Sequence, residues 1–140
     1  MDGFVLDASV AISWCFPGHP AEDTPYSREV LVRLETEDAI VPGIWPFEIA
    51  NSLFVSFAVR KRITEIQIKE YLELLRALPI QVEAQDMWAN IELEAMARKW
   101  NLTAYDAAYL DLALREGLPL ATTDGKMRAA AIAEGVKMLA

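Results

Sequence analysis

An α/β fold, with a parallel sheet covered by helices on both faces, follows from three features of the sequence. Short apolar segments at 4–6, 39–41, 79–82 and 119–122 alternate with longer stretches of helical apolar periodicity. No hairpin signal joins one short segment to the next, so the strands are expected to run parallel with helical crossovers. No internal repeat, low-complexity tract or linker interrupts the 140 residues, which predicts one domain, 1–140.

Phe4, Val5 and Leu6 form the first strand, which ends at Asp7, and residues 8–12 read as helical. Pro17-Gly18-His19-Pro20 breaks that helix and opens a loop. The next helix puts Val30, Leu31 and Leu34 on its inner face, and Ala39-Ile40-Val41 is a strand closed by Pro42-Gly43. Pro46 suits the first turn of a helix carrying Phe47, Ala50, Leu53, Phe54, Phe57 and Ala58 at core spacing. Thr64 caps an amphipathic helix containing Ile66, Ile68, Tyr71, Leu72 and Leu75. After the strand at 79–82, residues 86–100 read as one helix, and Asn101-Leu102 turns the chain. Thr103 starts a helix that runs to Gly117, the 119–122 strand leads to Asp124, and a last helix ends near Gly135. Residues 136–139 are expected to add a terminal strand.

At 54% hydrophobic and 24% charged residues, the chain is too apolar to stay disordered. No apolar run approaches the roughly 18–20 residues needed to cross a bilayer. The N-terminus lacks the basic stretch of a signal peptide, and the lone Cys15 excludes an internal disulfide, so a soluble cytoplasmic protein is expected. A net charge of −8 argues against tight, general binding of nucleic acid through a basic face. It leaves open a chemistry in which carboxylates hold metal ions that supply the positive charge. Basic residues cluster at Arg60-Lys61-Arg62, at Arg98-Lys99 and at Lys126 and Arg128, each read as a solvated helix end.

Four acids carry the functional reading. Each has an ordinary explanation: Asp7 and Asp124 as helix N-caps, Asp106 as the far member of a Thr103-Ala104-Tyr105-Asp106 capping box, Glu48 as a first-turn carboxylate. Topology gives them a common location. Asp7 and Asp124 close strands of a parallel sheet, and Glu48 lies in the helix that leaves the second strand. The helix bearing Asp106 runs antiparallel to the strand that follows it, so its N-terminus returns to the same carboxyl edge, where α/β ligands bind. Four carboxylates in one crevice repel unless divalent cations such as Mg²⁺ or Mn²⁺ neutralise them, and a pair of such ions can hydrolyse a phosphodiester. Ser9 and Thr122 stand two residues from Asp7 and Asp124, placed to orient water or a carboxylate, and Asn51 and Ser52 make the Glu48 face polar.

One histidine, His19, cannot support a two-histidine ribonuclease mechanism, and no nucleophile elbow, zinc-ligand set or Gly-rich phosphate loop occurs. Asp111 points away from Asp106 and is expected to pair with Arg115, while Glu22 and Asp23 lie in a solvated loop. The four tryptophans read as core or helix-contact residues, with Trp14 and Trp45 near the acidic edge and able to line a partner groove.

Phe4-Val5-Leu6-Asp7-Ala8-Ser9-Val10 resembles the opening motif of PIN-domain ribonucleases, in particular the VapC-type toxins of toxin–antitoxin pairs. Pro46-Phe47-Glu48-Ile49-Ala50-Asn51, Thr103-Ala104-Tyr105-Asp106-Ala107-Ala108-Tyr109 and Leu120-Ala121-Thr122-Thr123-Asp124 resemble the motifs that follow, in the family's order. The resemblance implies a three-layer α/β/α sandwich, Mg²⁺ or Mn²⁺ dependence with two ions, and endonucleolytic RNA cleavage. It further implies a homodimer inhibited by a cognate antitoxin. Asp7, Glu48 and Asp106 would be the main metal ligands, Asp124 the more variable fourth, with Ser9 and Thr122 supporting. A DNA or structure-specific nuclease and a non-catalytic acidic interaction domain are the alternatives.

Overall fold

The computed structural model describes residues 3–140. Its centre is a four-stranded, all-parallel sheet in the order β3-β2-β1-β4, formed by β1 (Gly3–Leu6), β2 (Asp38–Val41), β3 (Ile80–Val82) and β4 (Leu120–Ala121). Strand β1 lies between β2 and β4 with all four residues buried, as a strand covered on both faces should be. A Cβ on Gly3 would meet the Asp38 carbonyl oxygen at 2.7 Å, so the bare backbone at this position lets β2 lie close. The expected terminal strand reduces to a single parallel bridge, Leu120 to Met138.

Helices α1 (Ala8–Ser13), α2 (Pro25–Arg33), α3 (Trp45–Phe54), α4 (Glu65–Arg76), α5 (Met87–Glu92), α6 (Glu94–Trp100), α7 (Ala104–Glu116) and α8 (Gly125–Ala133) flank the sheet, giving the expected α/β/α arrangement. Helix α3 continues into a π-helical turn, Val55–Val59. Helix α1 packs on α2 and α3, while α7 packs on β1, β4, α6 and α8. Local chemistry sets the boundaries. Thr64 and Gln67 form a reciprocal capping box at the start of α4, and Thr24 caps α2 ahead of Pro25. Asn101 and Gly117 end α6 and α7 in the left-handed region. The Tyr71 hydroxyl donates to the Ala11 carbonyl and ties α4 to α1. No helix among the described residues is long and apolar enough to cross a membrane.

Three expectations are corrected. The predicted core face of α3 is mostly outside: Phe47 is 72% exposed and Phe54 60%, and Ala50, Phe57 and Ala58 are exposed with them. The buried row is Trp45, Ile49, Leu53 and Ser56. Both rows have helical spacing and both are largely apolar, so periodicity alone could not select between them. In α4, Ile66 is exposed and Tyr71 is the buried residue. The expected 86–100 helix is two helices, because the chain turns at Leu93 and buries that side chain, whereas α5 buries nothing. Exposed Trp88 accordingly departs from the core reading of the tryptophans.

The α3 assignment predicts that Leu53→Ala lowers unfolding free energy by about 2–4 kcal/mol, the usual range for a buried leucine. Phe54→Ala, one residue on, should cost less than about 1 kcal/mol. Urea denaturation of the two variants checks this, and equal losses would contradict the burial of Leu53.

Candidate active site

Asp7 directly follows β1 and is 5% exposed. Its backbone occupies the N-cap position of α1, yet its side chain makes no capping bond. The carboxylate is held from elsewhere: Ser9 Oγ donates to Asp7 Oδ2 at 2.6 Å, and Thr122 Oγ1 donates to the same oxygen at 2.7 Å. Thr122 in turn accepts from the Asp124 N–H at 3.1 Å, which links the end of β4 and the start of α8 to Asp7. Ser9 and Thr122 therefore meet Asp7, as the sequence suggested, although both act on a single acid.

Glu48 stands in the first turn of α3, and Tyr109 of α7 donates its hydroxyl to Glu48 Oε1 at 2.5 Å. Asp106 lies in the first turn of α7, where its N–H donates to Thr103 Oγ1. The return bond that would complete a capping box is not formed, unlike in α4. Asp124 lies three residues beyond β4 and does cap its helix, with Oδ1 accepting from the Lys126 and Met127 N–H groups. The ordinary reading thus holds for Asp124 and fails for Asp7.

Asp7 and Asp106 lie within electrostatic reach of each other, Glu48 within reach of both, and Asp124 likewise of both. Burial raises the Asp7 carboxyl above the usual carboxylate range, against the Ser9 and Thr122 hydroxyls that lower it, and Asp124 adds a smaller upward push. Glu48 is raised by burial, offset by the Tyr109 bond and reinforced by Asp7 and Asp106. Asp106 is raised by burial, then by Asp7 and Asp124, while Lys126 pulls it down. Lys126 stands at the N-terminus of α8 rather than at a C-terminal end, so the solvated-end reading does not describe it. Among the described residues no Lys or Arg forms an ion pair with any of the four.

These residues offer carboxylate and hydroxyl oxygens, with no thiol or imidazole, a donor set that suits a hard divalent cation. The acids do not, however, close on a common point: among the described residues no three stand close enough to hold one ion by themselves. The structure thus brings the quartet together electrostatically without forming a ligand cage. Asp111 stays apart, paired with Arg115 at 2.7 Å, and Glu83 joins that pair. Trp45 is buried and Trp14 donates its indole N–H to the Ser27 carbonyl, so each serves internal packing first. Tyr109 is the site residue that sequence reading missed. Its signal was a tyrosine one helical turn after Asp106 on the buried side of α7, indistinguishable there from an ordinary core residue.

The raised acids bear on stability. A carboxyl whose pKa is raised by folding stabilises the fold below the unfolded value, near 3.8 for Asp7, and that contribution is lost as pH rises through the folded value. Asp7→Asn should therefore raise the thermal midpoint of the metal-free protein at pH 7. The gain should vanish below about pH 4, where Asp7 of the parent is also protonated. Scanning calorimetry across pH checks this, and an unchanged midpoint at pH 7 would show that the buried charge carries no cost.

Comparison with known proteins agrees with this architecture. The structure is similar to the crystal structure of PAE2754 from Pyrobaculum aerophilum, with a TM-score of 0.67 and 19% identity over 92% of this chain and 86% of that one. No curated protein matches the sequence closely enough to serve as a relative. The family model for the PIN domain matches residues 4–133, a span that includes all four acids and both supporting hydroxyls. PIN domains are generally nuclease domains, typically metal-dependent hydrolases, and this chain belongs to the PIN-domain family.

Proposed function

We propose that the protein is a metal-dependent endoribonuclease that hydrolyses phosphodiester bonds in RNA and acts as the toxin of a type II toxin–antitoxin pair. One observation carries the nuclease reading. A buried aspartate at the carboxyl end of the central strand is oriented by two hydroxyls beside three further acids, and among the described residues no basic side chain forms an ion pair with any of them. Asp7, Glu48, Asp106 and Asp124 would hold Mg²⁺ or Mn²⁺, two ions in the expected arrangement. Such ions activate water and stabilise charge on a leaving oxygen.

The chain's own residues then have distinct tasks. Ser9 and Thr122 occupy Asp7 Oδ2 and fix the plane of that carboxylate. Tyr109 anchors Glu48 Oε1 from the core side, and among the described residues no side chain donates to Oε2. Lys126 offsets part of the negative charge at Asp106. The motifs quoted above, in their order and spacing, support RNA as the substrate and the VapC-type assignment. The exposed apolar row of Phe47, Phe54 and Phe57 supports a protein partner, a second copy of the chain and an antitoxin both being expected, because monomers rarely leave contiguous apolar surface uncovered. The open arrangement of the acids favours a second reading, a non-catalytic acidic pocket for a basic segment. Mn²⁺ titration by calorimetry separates the two.

Asp7→Asn should reduce Mn²⁺-dependent cleavage of single-stranded RNA by more than about 100-fold, since even the outer-shell partners of a metal ligand are worth about 10–100-fold. Undiminished cleavage would remove Asp7 from the chemistry. Tyr109→Phe should weaken Mn²⁺ binding about tenfold by calorimetry in a protein that remains folded. Unaltered affinity would reduce the Tyr109 bond to a packing contact.

A further inference from the structure

The basic cluster at residues 60–62 has no part in the site described so far, yet two of its members share a groove with the Glu48 helix. This groove, of ≈ 290 Å³, runs between α1 and α3 and is lined by Ile12 on one wall and by Asn51, Ser52 and Ser56 on the other, with Arg60 and Arg62 at its far end. Both walls begin at the acids. Asp7 precedes α1 directly, and Asn51 and Ser52 follow Glu48 by three and four residues, on its own helix face.

The π-helical turn and the residue after Arg60 set the far end. Ser56 is buried on the groove wall, and its carbonyl accepts from the Arg62 N–H. Lys61 adopts a left-handed φ of 53°, turning the chain so that Arg60 and Arg62, rather than Lys61, line the groove. Arg60 forms no ion pair among the described residues. Arg62 is 3.7 Å from Glu22 and lies 4.2 Å over the Phe16 ring, which holds its guanidinium at the groove. By contrast, Arg98 and Lys99 of the second cluster are each bound to a glutamate at 2.8 Å or less. In a chain of net charge −8, Arg60 and Arg62 together outweigh Glu22, the acid that lines the same groove, and leave a local excess of positive charge for an anion.

We propose that this groove is the path of the RNA strand on one side of the cleavage point, with Asn51 and Ser52 beside the sugar–phosphate chain and Arg60 and Arg62 receiving phosphates. The proposal rests on the nuclease reading and adds to it a direction and a length. The twelve steps from Glu48 to Arg60, the later ones π-helical, span at most roughly 18 Å at 1.5 Å each, about five nucleotides of a stacked strand at roughly 3.4 Å each and fewer of an extended one. A strand too short to span this distance cannot reach both the acids and the arginines.

The test is fluorescence anisotropy of labelled single-stranded RNA 12-mers and 3-mers on full-length protein in an Asp7→Asn background. Adding Arg60→Ala and Arg62→Ala should weaken 12-mer binding at least tenfold and remove most of the 12-mer's advantage over the 3-mer. The slope of log affinity against log salt should become shallower by about 1.4, two phosphates at about 0.7 each for a single strand. Arg60→Lys with Arg62→Lys should keep the slope, which separates lost charge from lost folding. A parent-like slope and affinity in the alanine variant would overturn the proposal, as would equal weakening of both lengths or no RNA binding by the Asp7→Asn parent. So would unchanged RNA binding with lost affinity for a labelled Glu-rich peptide, which would make the groove a protein-docking site. Mn²⁺-dependent cleavage by the unsubstituted protein is a separate measurement. Cleavage with an unaltered slope leaves the nuclease reading standing without the groove, and absence of cleavage removes the nuclease reading itself.

Discussion

The Asp7 carboxylate sits at the end of the central, fully buried strand, and the arrangement around it depends on keeping it there. A carboxylate removed from water is costly unless its oxygens are bonded. Here the solution is two hydroxyls on one oxygen, one from the next turn of chain and one from β4 across the sheet. Because Thr122 also accepts from the Asp124 N–H, the start of α8 is positioned by the same bonds. The parallel pairing of β1 with β4 is thus a structural and an electrostatic requirement at once. A slip of one residue would turn Thr122 away from Asp7.

Helix α3 shows how one element presents three surfaces. Its buried row, Trp45, Ile49, Leu53 and Ser56, fastens it to the core. Its polar row carries Glu48, Asn51 and Ser52 toward the acids and the α1–α3 groove. Its third row is exposed phenylalanine. A helix committed on all sides has little tolerance for rotation, and the π-helical turn that follows changes the phase of the chain before Arg60.

Much of the fold was legible because it rests on local rules. Four short apolar segments without hairpin signals became four parallel strands, and Thr64, Thr103, Asn101 and Gly117 began or ended helices where capping chemistry and backbone preference place them. The edge position of the four acids was legible for the same reason, since strand order and direction dictate it. Less legible was anything that needs two segments at once. Nothing local reveals that Asp7 declines its own helix cap in favour of a threonine 115 residues away, or that Tyr109 turns its hydroxyl to Glu48, 61 residues back. The choice between two apolar rows on α3 was hidden likewise, because it is made by the neighbours a helix meets. The break of the expected 86–100 helix at Leu93, whose side chain is buried, carried no local signal either.

The distance along the chain between Asp7 and Thr122 has a consequence for synthesis. A polypeptide emerging from the ribosome can form β1, α1 and β2 early, but the bonds that orient Asp7 must wait for β4 and the segment after it. Long-range parallel pairing is slow to form, since loop closure precedes any gain from the contact. Until residue 124 has emerged and docked, the chain carries its acids without assembling them. A partly made or truncated copy therefore lacks the Thr122 bond to Asp7, and the acidic group is assembled only once β4 and the segment after it have been made and docked.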